Sequence, residues 1–597
     1  MRWPMPDGPG RPPGRHTLLT RHFLTRLVDN DLVSPDADAH KGASVGLAML
    51  LSGGTVITVL MGGKYIMTPL PMPAVNAGNY LDDALFYVTV SMLLLAIVAV
   101  VAWDGLALDA RDEAILGPLP IPRATVVRAK LSAMGILAGA VLIALNGPPT
   151  LLHPSSAVAM LPAGFGQMLR LMLAHAAATI GAGAFGFCAV LAFREVARGV
   201  LGSWWPAVSA RLQAALILVL ATAFLLTPAW LGGVAERLTP PASGGWRVVA
   251  NPPMWFVGLH QLIAGPVILD LPGPPLPRRL QEAEAWAAAR YRRTEAGAAA
   301  LGALAPISLA GAFGVALGAF LWNARRPAAR ARSPRRAGRA RPSPLARLVI
   351  ATVARAPAVQ AGFFFTLRIL SRSVPHRAAL AVAAAFGLAV ATIGFGRALR
   401  LPPGTEPRAL LGTQTLLIAC LVAGIEQAMR LPAHLPAAWN VKLAWPGDAR
   451  GYVTGVKRAV VVGIGAPSLA LLLLAHLTLL APAFALIHYA VGLLLLLIAL
   501  EARFLADHPL PFLTPYVAGS RIKGAPLWFV AAIVAAEGVA AIEAAALRSP
   551  IGSAVLVAGL IASWQALAWQ GRRRSAPRDD DLDLFQPQLD EATRLKL

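Results

Sequence analysis

Long apolar runs recur along the whole chain, and each is close to the length that a helix needs to cross a bilayer. One helical span requires about 20 apolar residues, and short polar or Pro/Gly-marked breaks separate the runs. Ala, Leu and Gly dominate them, which favours closely packed helices over a barrel. Twelve runs are predicted to be transmembrane helices: 43–62, 84–102, 125–145, 168–193, 214–231, 298–322, 378–396, 410–429, 460–480, 483–500, 527–547 and 551–569.

The composition agrees with this interpretation. Of 597 residues, 56% are hydrophobic and only 14% are charged, and the mean hydropathy is +0.61. A soluble protein of this length does not need so apolar a chain. The sequence therefore predicts an all-α, polytopic membrane protein with about twelve transmembrane helices in two six-helix halves.

The formal net charge of +23 could indicate nucleic-acid binding. Most Lys and Arg residues, however, flank the apolar runs on one side, as the positive-inside rule predicts for cytoplasmic loops. We interpret the charge as a topology signal and expect no nucleic-acid partner. Cys188 and Cys420 both lie within apolar runs, so no disulfide framework is indicated.

Breaks in the pattern predict five segments. The first, 1–42, is a cytoplasmic N-terminal segment, and the last, 571–597, is a cytoplasmic tail. The two transmembrane halves are predicted at 43–322 and 358–570, and the Arg/Pro-rich stretch 323–357 is a flexible linker between them. An even number of spans before the linker gives both halves the same orientation, with both termini in the cytoplasm.

A predicted amphipathic helix precedes the first span. Leu19, Phe23 and Leu27 recur at intervals of four residues, which places them on one face of a helix. Arg15, Arg21 and Arg26 surround this stripe, so the helix could lie on anionic lipid at the inner leaflet. A helix packed on its own protein would show the same pattern.

The stretch from Trp103 to Leu131 is charged and proline-rich, although it separates two apolar runs. We predict that it is a cytoplasmic elbow between the second and third spans, with one or two helical turns from Asp109 to Leu116. An ordinary tight turn with solvated charges would look similar. The matching place in the second half, Trp439 to Lys457, is a second elbow with candidate residues Asp448, Arg450 and Lys457. Both elbows contain R-x6-K at the entry to the next span.

The first elbow resembles the coupling loop of the membrane subunits of ABC-2 type ATP-binding-cassette exporters. That loop carries acidic residues, a Leu-Pro element, a basic residue and a lysine that starts the next helix. The stretches RHFLTRLVDNDLVSPDADAH, NPPMWFVGLHQLIAG and SRSVPHRAAL also look like parts of a bacterial group of two-half permeases of this type. The residues here that match the loop are Asp109, Asp112, Glu113, Leu119, Pro120, Arg123 and Lys130.

The resemblance implies an export permease in the bacterial inner membrane whose elbows dock a separate ATPase. The sequence contains no G-x4-G-K-[ST] phosphate-binding motif, so we expect no cofactor in this chain and ATP hydrolysis by the partner subunit. The remaining partners would be membrane lipids. The second elbow has Trp445-Pro446-Gly447 and no Leu-Pro-x-Pro element, so we expect the first elbow to make the stronger contact.

Two alternatives remain open. An ion-coupled secondary transporter would need charged or titratable residues inside the membrane, although each candidate could equally be a helix-end or packed polar residue. A membrane glycosyltransferase would use carboxylates such as Asp82 and Asp83 in the first outside loop, where an acidic pair is more often solvated. The candidates for ion coupling are Arg170, His175, Glu426, His476, Glu537 and Glu543.

Overall fold

The computed structural model describes residues 14–28, 39–67, 72–108, 112, 115–159, 161–230, 251–273, 275–325, 343–399, 408–431, 448–505, 510–513 and 525–574. Its regular structure in these ranges is helical, as predicted. The chain divides into two compact units, residues 1–335 and 336–597. The second-elbow residues 439–447, about half of the predicted linker (326–342) and most of the predicted tail (575–597) lie outside the described residues.

The first unit begins with a short helix and continues with long ones. Its described helices are α1 (Arg15–Val28), α2 (Ala39–Ile66), α3 (Pro73–Val101), α4 (Arg123–Ala157), α5 (Phe165–Leu201), α6 (Trp205–Trp230), α7 (Pro252–Ala264), α8 (Arg278–Leu301) and α9 (Leu304–Arg325). Helix α5 is central and packs against α3, α4, α7 and α9, while α4 carries α1 and α2 on its other sides.

Small residues bring these helices close together. A Cβ atom at Gly186 of α5 would overlap the backbone carbonyl of Met92 in α3, so only glycine permits this crossing. The main core of the unit lies around the same helices and includes Leu85, Val88 and Phe256.

The second unit also begins with short helices. Its described helices are α10 (Pro344–Thr352), α11 (Pro357–Arg372), α12 (Val374–Ala398), α13 (Arg408–Arg430), α14 (Ala449–Val460), α15 (Ala466–His476), α16 (Pro482–Arg503), α17 (Ala525–Ala546) and α18 (Pro550–Arg574). A π-helical turn, Val461–Gly465, joins α14 to α15. Helix α13 packs against α12, α16 and α17, and α11 packs against α14.

Ten described segments are long and apolar enough to cross a membrane, which supports a multi-pass membrane protein. Each of the twelve predicted runs lies largely within a helix, but the number twelve is not confirmed. One of the ten segments, Phe165–Thr227, covers two predicted spans, because α5 continues into α6 through a short 3-10 turn at Gly202–Trp204. Helix α17 is not among the ten.

Candidate functional site

Helix α1 lies against the first elbow and the start of α4. Its predicted apolar stripe of Leu19, Phe23 and Leu27 is buried, so in this structure the stripe packs on the protein. The Phe23 ring is completely buried, and the Lys130 ammonium lies 4.5 Å from its centroid. This cation–π contact joins the stripe to α4.

Polar contacts hold both ends of α1 to the elbow. Arg26, near the end of the helix, forms an ion pair and hydrogen bond with Asp112, whose side chain is 5% exposed. Arg15, the first residue of the helix, donates a hydrogen bond of 3.2 Å to the carbonyl of Pro120. The carboxylate of Asp112 therefore faces α1.

The beginning of the elbow is fixed by the other helices of the unit. Trp103 is fully buried, its indole N–H donates to the Ser209 hydroxyl at 2.9 Å, and its ring stacks on Trp205. The Arg194 guanidinium lies over both indoles and pairs with Glu195. These contacts tie the elbow to α5 and α6.

The later part of the elbow forms an exposed tip before α4. Ile115 is 61% exposed and Leu119 is 47% exposed, and Pro120 and Arg123 are exposed beside them. The Leu119 N–H donates to the carbonyl of Leu116 at 3.1 Å, which closes a tight turn. Ile115 was not predicted as a site residue, because a single apolar residue among charges gives no periodic signal. We call Ile115, Leu119 and Pro120 the elbow tip.

The candidate residues of the first elbow thus differ in position. Leu119, Pro120 and Arg123 lie at the exposed side, whereas Asp112 and Lys130 are buried against α1. Asp109 and Glu113 lie outside the described residues.

The second unit repeats part of this arrangement. Helix α11 packs on α14 so closely that a Cβ atom at Gly455 would overlap the carbonyl of Val359, and Arg458 donates to the carbonyl of Val353. Lys457, which matches Lys130 in the R-x6-K pattern, contacts Phe504 and pairs with Glu501 at 2.6 Å. In each unit, an amphipathic helix that precedes the first predicted span of that half therefore packs on the helix that follows the elbow. These pairs are α1 on α4 and α11 on α14.

The other two candidates of the second elbow lie at the start of α14. Asp448 is the N-cap residue, and its carboxylate accepts a hydrogen bond of 2.7 Å from the Gly451 N–H. This capping contact stabilises the helix end. Arg450 is exposed.

A buried polar cluster in the first unit was not predicted as a group. We call it the Asp83 cluster, and it consists of Lys64, Tyr65, Tyr80, Asp83, Tyr87, His153, His175 and His260. Five helices contribute to it, namely α2, α3, α4, α5 and α7. The tyrosine and histidine rings contact one another at centroid distances of 4.7–6.0 Å. Only His175 and Asp83 were candidates, since the other members are scattered through the chain and meet only after folding.

Asp83 was expected in an outside loop, but it lies inside this cluster and is 2% exposed. Its carboxylate accepts hydrogen bonds from Lys64 at 2.5 Å and from the Tyr65 hydroxyl at 2.6 Å. Burial lowers the pKa of His260, on α7, to about 4, so this ring is neutral near pH 7. No group of three His, Cys, Asp or Glu residues in the described part of the chain is arranged to hold a metal ion.

The second unit contains a smaller buried cluster. His488 and Glu543 form a hydrogen bond of 2.6 Å, the His476 ring lies 4.8 Å from that of His488, and Gln414 donates to the His488 carbonyl at 2.7 Å. His476 and Glu543 were separate candidates, and His488 brings them together.

The remaining ion-coupling candidates lie elsewhere. Glu426 pairs with Arg430 and Arg503, Arg170 donates to the carbonyl of Ile263 at 2.6 Å, and Glu537 is exposed. Comparison with protein-family models, with curated proteins and with solved structures returned no match to this chain.

Proposed function

We propose that the chain is the permease subunit of an ABC-2 type exporter in the bacterial inner membrane. It would have twelve spans in two six-helix halves, both termini in the cytoplasm, and a translocation path formed by the halves. The observation that carries the proposal is the elbow tip, an exposed apolar turn joined directly to α4 and held by α1.

The contacts of the elbow support a coupling role. A partner bound at Leu119 or Ile115 would contact a turn that α1 holds on one side and α5 holds at the start of the elbow. Movement of the partner would therefore be transmitted through the turn to the spanning helices. Pro118, Pro120 and Pro122 stiffen the connection, because proline fixes φ and cannot continue a helix. Energy would come from a separate ATPase, since the sequence lacks a phosphate-binding motif.

One observation favours an ion-coupled secondary transporter as the second candidate. The His488–Glu543 pair and His476 place titratable groups together inside the second unit, as such transporters require. A glycosyltransferase receives no such support, because Asp83 is turned inward to Lys64 and Tyr65.

Co-isolation with the partner tests the proposal. The tagged full chain is expressed with the ATPases encoded beside its gene, extracted in lipid nanodiscs and assayed for bound protein and for ATP hydrolysis. We expect one ATPase to bind in a fixed ratio, and we expect Leu119→Asp to weaken binding at least tenfold.

The matched control is Trp286→Asp, which changes an exposed apolar residue of α8 in the same unit. It should leave binding unchanged. A chain that transports with an ion gradient alone and binds no ATPase would refute the exporter assignment and favour the second candidate.

A further inference from the structure

His153 and His175 are both completely buried. None of their four ring nitrogens has a hydrogen-bond partner among the described residues. Buried polar atoms are nearly always hydrogen-bonded, since an unsatisfied group costs free energy. The two rings therefore hold unused proton-binding and hydrogen-bonding capacity inside the Asp83 cluster.

His153 is the one of the two that has a carboxylate nearby. Its Nδ1 lies 4.0 Å from Oδ2 of Asp83, just beyond hydrogen-bond distance. The ring is stacked on Tyr80 with a centroid distance of 4.7 Å and an interplanar angle of 9°. A shift of about 1 Å, which is all that separates 4.0 Å from an ordinary hydrogen bond, would bring His153 onto the carboxylate.

Asp83 already has a cationic partner that can leave. Lys64 holds the carboxylate at 2.5 Å, but the lysine side chain is 39% exposed, whereas that of Asp83 is 3% exposed. The ammonium therefore has room to move away while the carboxylate stays buried. A carboxylate left inside the protein without a cation would be strongly unfavourable.

We propose that the Asp83 cluster is a proton-binding site in which His153 takes up one proton and replaces Lys64 as the partner of Asp83. The proton comes from solvent and binds at Nδ1 of His153, and Lys64 keeps its own proton. Asp83 remains ionised throughout. The net charge of the three groups rises from zero to +1, because the proton added to His153 is balanced by Asp83 and Lys64 keeps its own charge away from the carboxylate.

Apart from Asp83 and Lys64, the titratable groups that face His153 in the described part of the chain are three tyrosines and two histidines. The remaining neighbours are phenols, which stay neutral near pH 7, and two histidines, neither of which pairs with a carboxylate among the described residues. They are Tyr65 from α2, Tyr80 and Tyr87 from α3, His175 from α5 and His260 from α7.

The exchange would alter helix contacts. Lys64 belongs to α2, Asp83 to α3 and His153 to α4. Proton uptake would therefore replace an ion pair between α2 and α3 by an ion pair between α3 and α4. This site goes beyond the proposed exporter function, and its test needs no ATPase.

Nitrogen-15 NMR of the full chain in lipid nanodiscs, labelled in its histidine rings, tests the proposal. Neutral and protonated imidazoles have distinct shifts, and His153→Gln identifies the signal. We expect His153 to become protonated between pH 8 and pH 5. Lys64→Met removes the competing cation without opening the core, so it should raise the midpoint by at least one pH unit, a tenfold gain in proton affinity.

Lys457→Met is the control, because it removes a partly buried lysine from an ion pair in the other unit and should leave the midpoint of His153 unchanged. The proposal is overturned if His153 of the unmodified chain stays neutral at pH 5, or if Lys64→Met leaves its midpoint where it was. Either result would make the cluster a purely structural one.

Discussion

At the scale of single residues, two charged side chains of the first elbow make contacts within the protein. Asp112 is turned towards Arg26 and Lys130 towards Phe23, so both side chains position α1. Among the described residues of the elbow, the elbow tip and Arg123 are exposed. The acidic and basic residues that carry the family resemblance thus have two different surroundings.

Replacing Arg26 tests the positioning role. Arg26→Ala removes the cation beside a buried carboxylate, so we expect the free energy of unfolding to fall by about 1–3 kcal/mol. Thermal or detergent unfolding of the purified chain measures this change.

The matched variant is Arg21→Ala, on the same helix but exposed, which should change stability by less than about 0.5 kcal/mol. Equal effects of the two replacements would mean that the Arg26–Asp112 pair does not hold α1.

At the scale of helices, much of the architecture was predictable and the contacts were not. Composition alone predicts the spanning helices from the apolar runs, and periodicity alone predicts α1 from its apolar stripe. That stripe could equally face lipid or protein, and its burial depends on α4, which begins about a hundred residues later in the chain. The residues of the candidate sites also differ in how far the sequence predicts them. Leu119, which is exposed, was expected to be a docking residue because its elbow resembles a known coupling loop, whereas the meeting of His153 with Asp83 depends on how α3 and α4 pack.

The crossing of α3 and α5 gives a prediction at this scale. Gly186→Ala places a methyl group on the Met92 carbonyl, and we expect overpacking to cost about 1–3 kcal/mol. Gly139→Ala is the control, because a Cβ atom at that position of α4 meets nothing within 4 Å. It should be neutral or stabilise the helix by up to about 1 kcal/mol. Unfolding experiments in nanodiscs compare the two, and similar stability of both variants would contradict the close crossing.

At the scale of the whole molecule, two units share a construction and differ in their interiors. Each has a short helix packed on the helix that follows its elbow. Each also has a lysine beside an aromatic ring, Phe23 of α1 for Lys130 and Phe504 after α16 for Lys457. The first unit buries Asp83 with three histidines, while the second buries Glu543 with two.

The central claim, that the first elbow docks an ATPase, is tested most directly by site-specific photo-crosslinking in living cells. A benzophenone amino acid is placed at position 119 of the elbow tip, and in a parallel strain at position 286 of α8. We predict a cross-linked product with an ATPase from position 119 and none from position 286. No ATPase adduct at position 119, or equal yields from the two positions, would contradict the account.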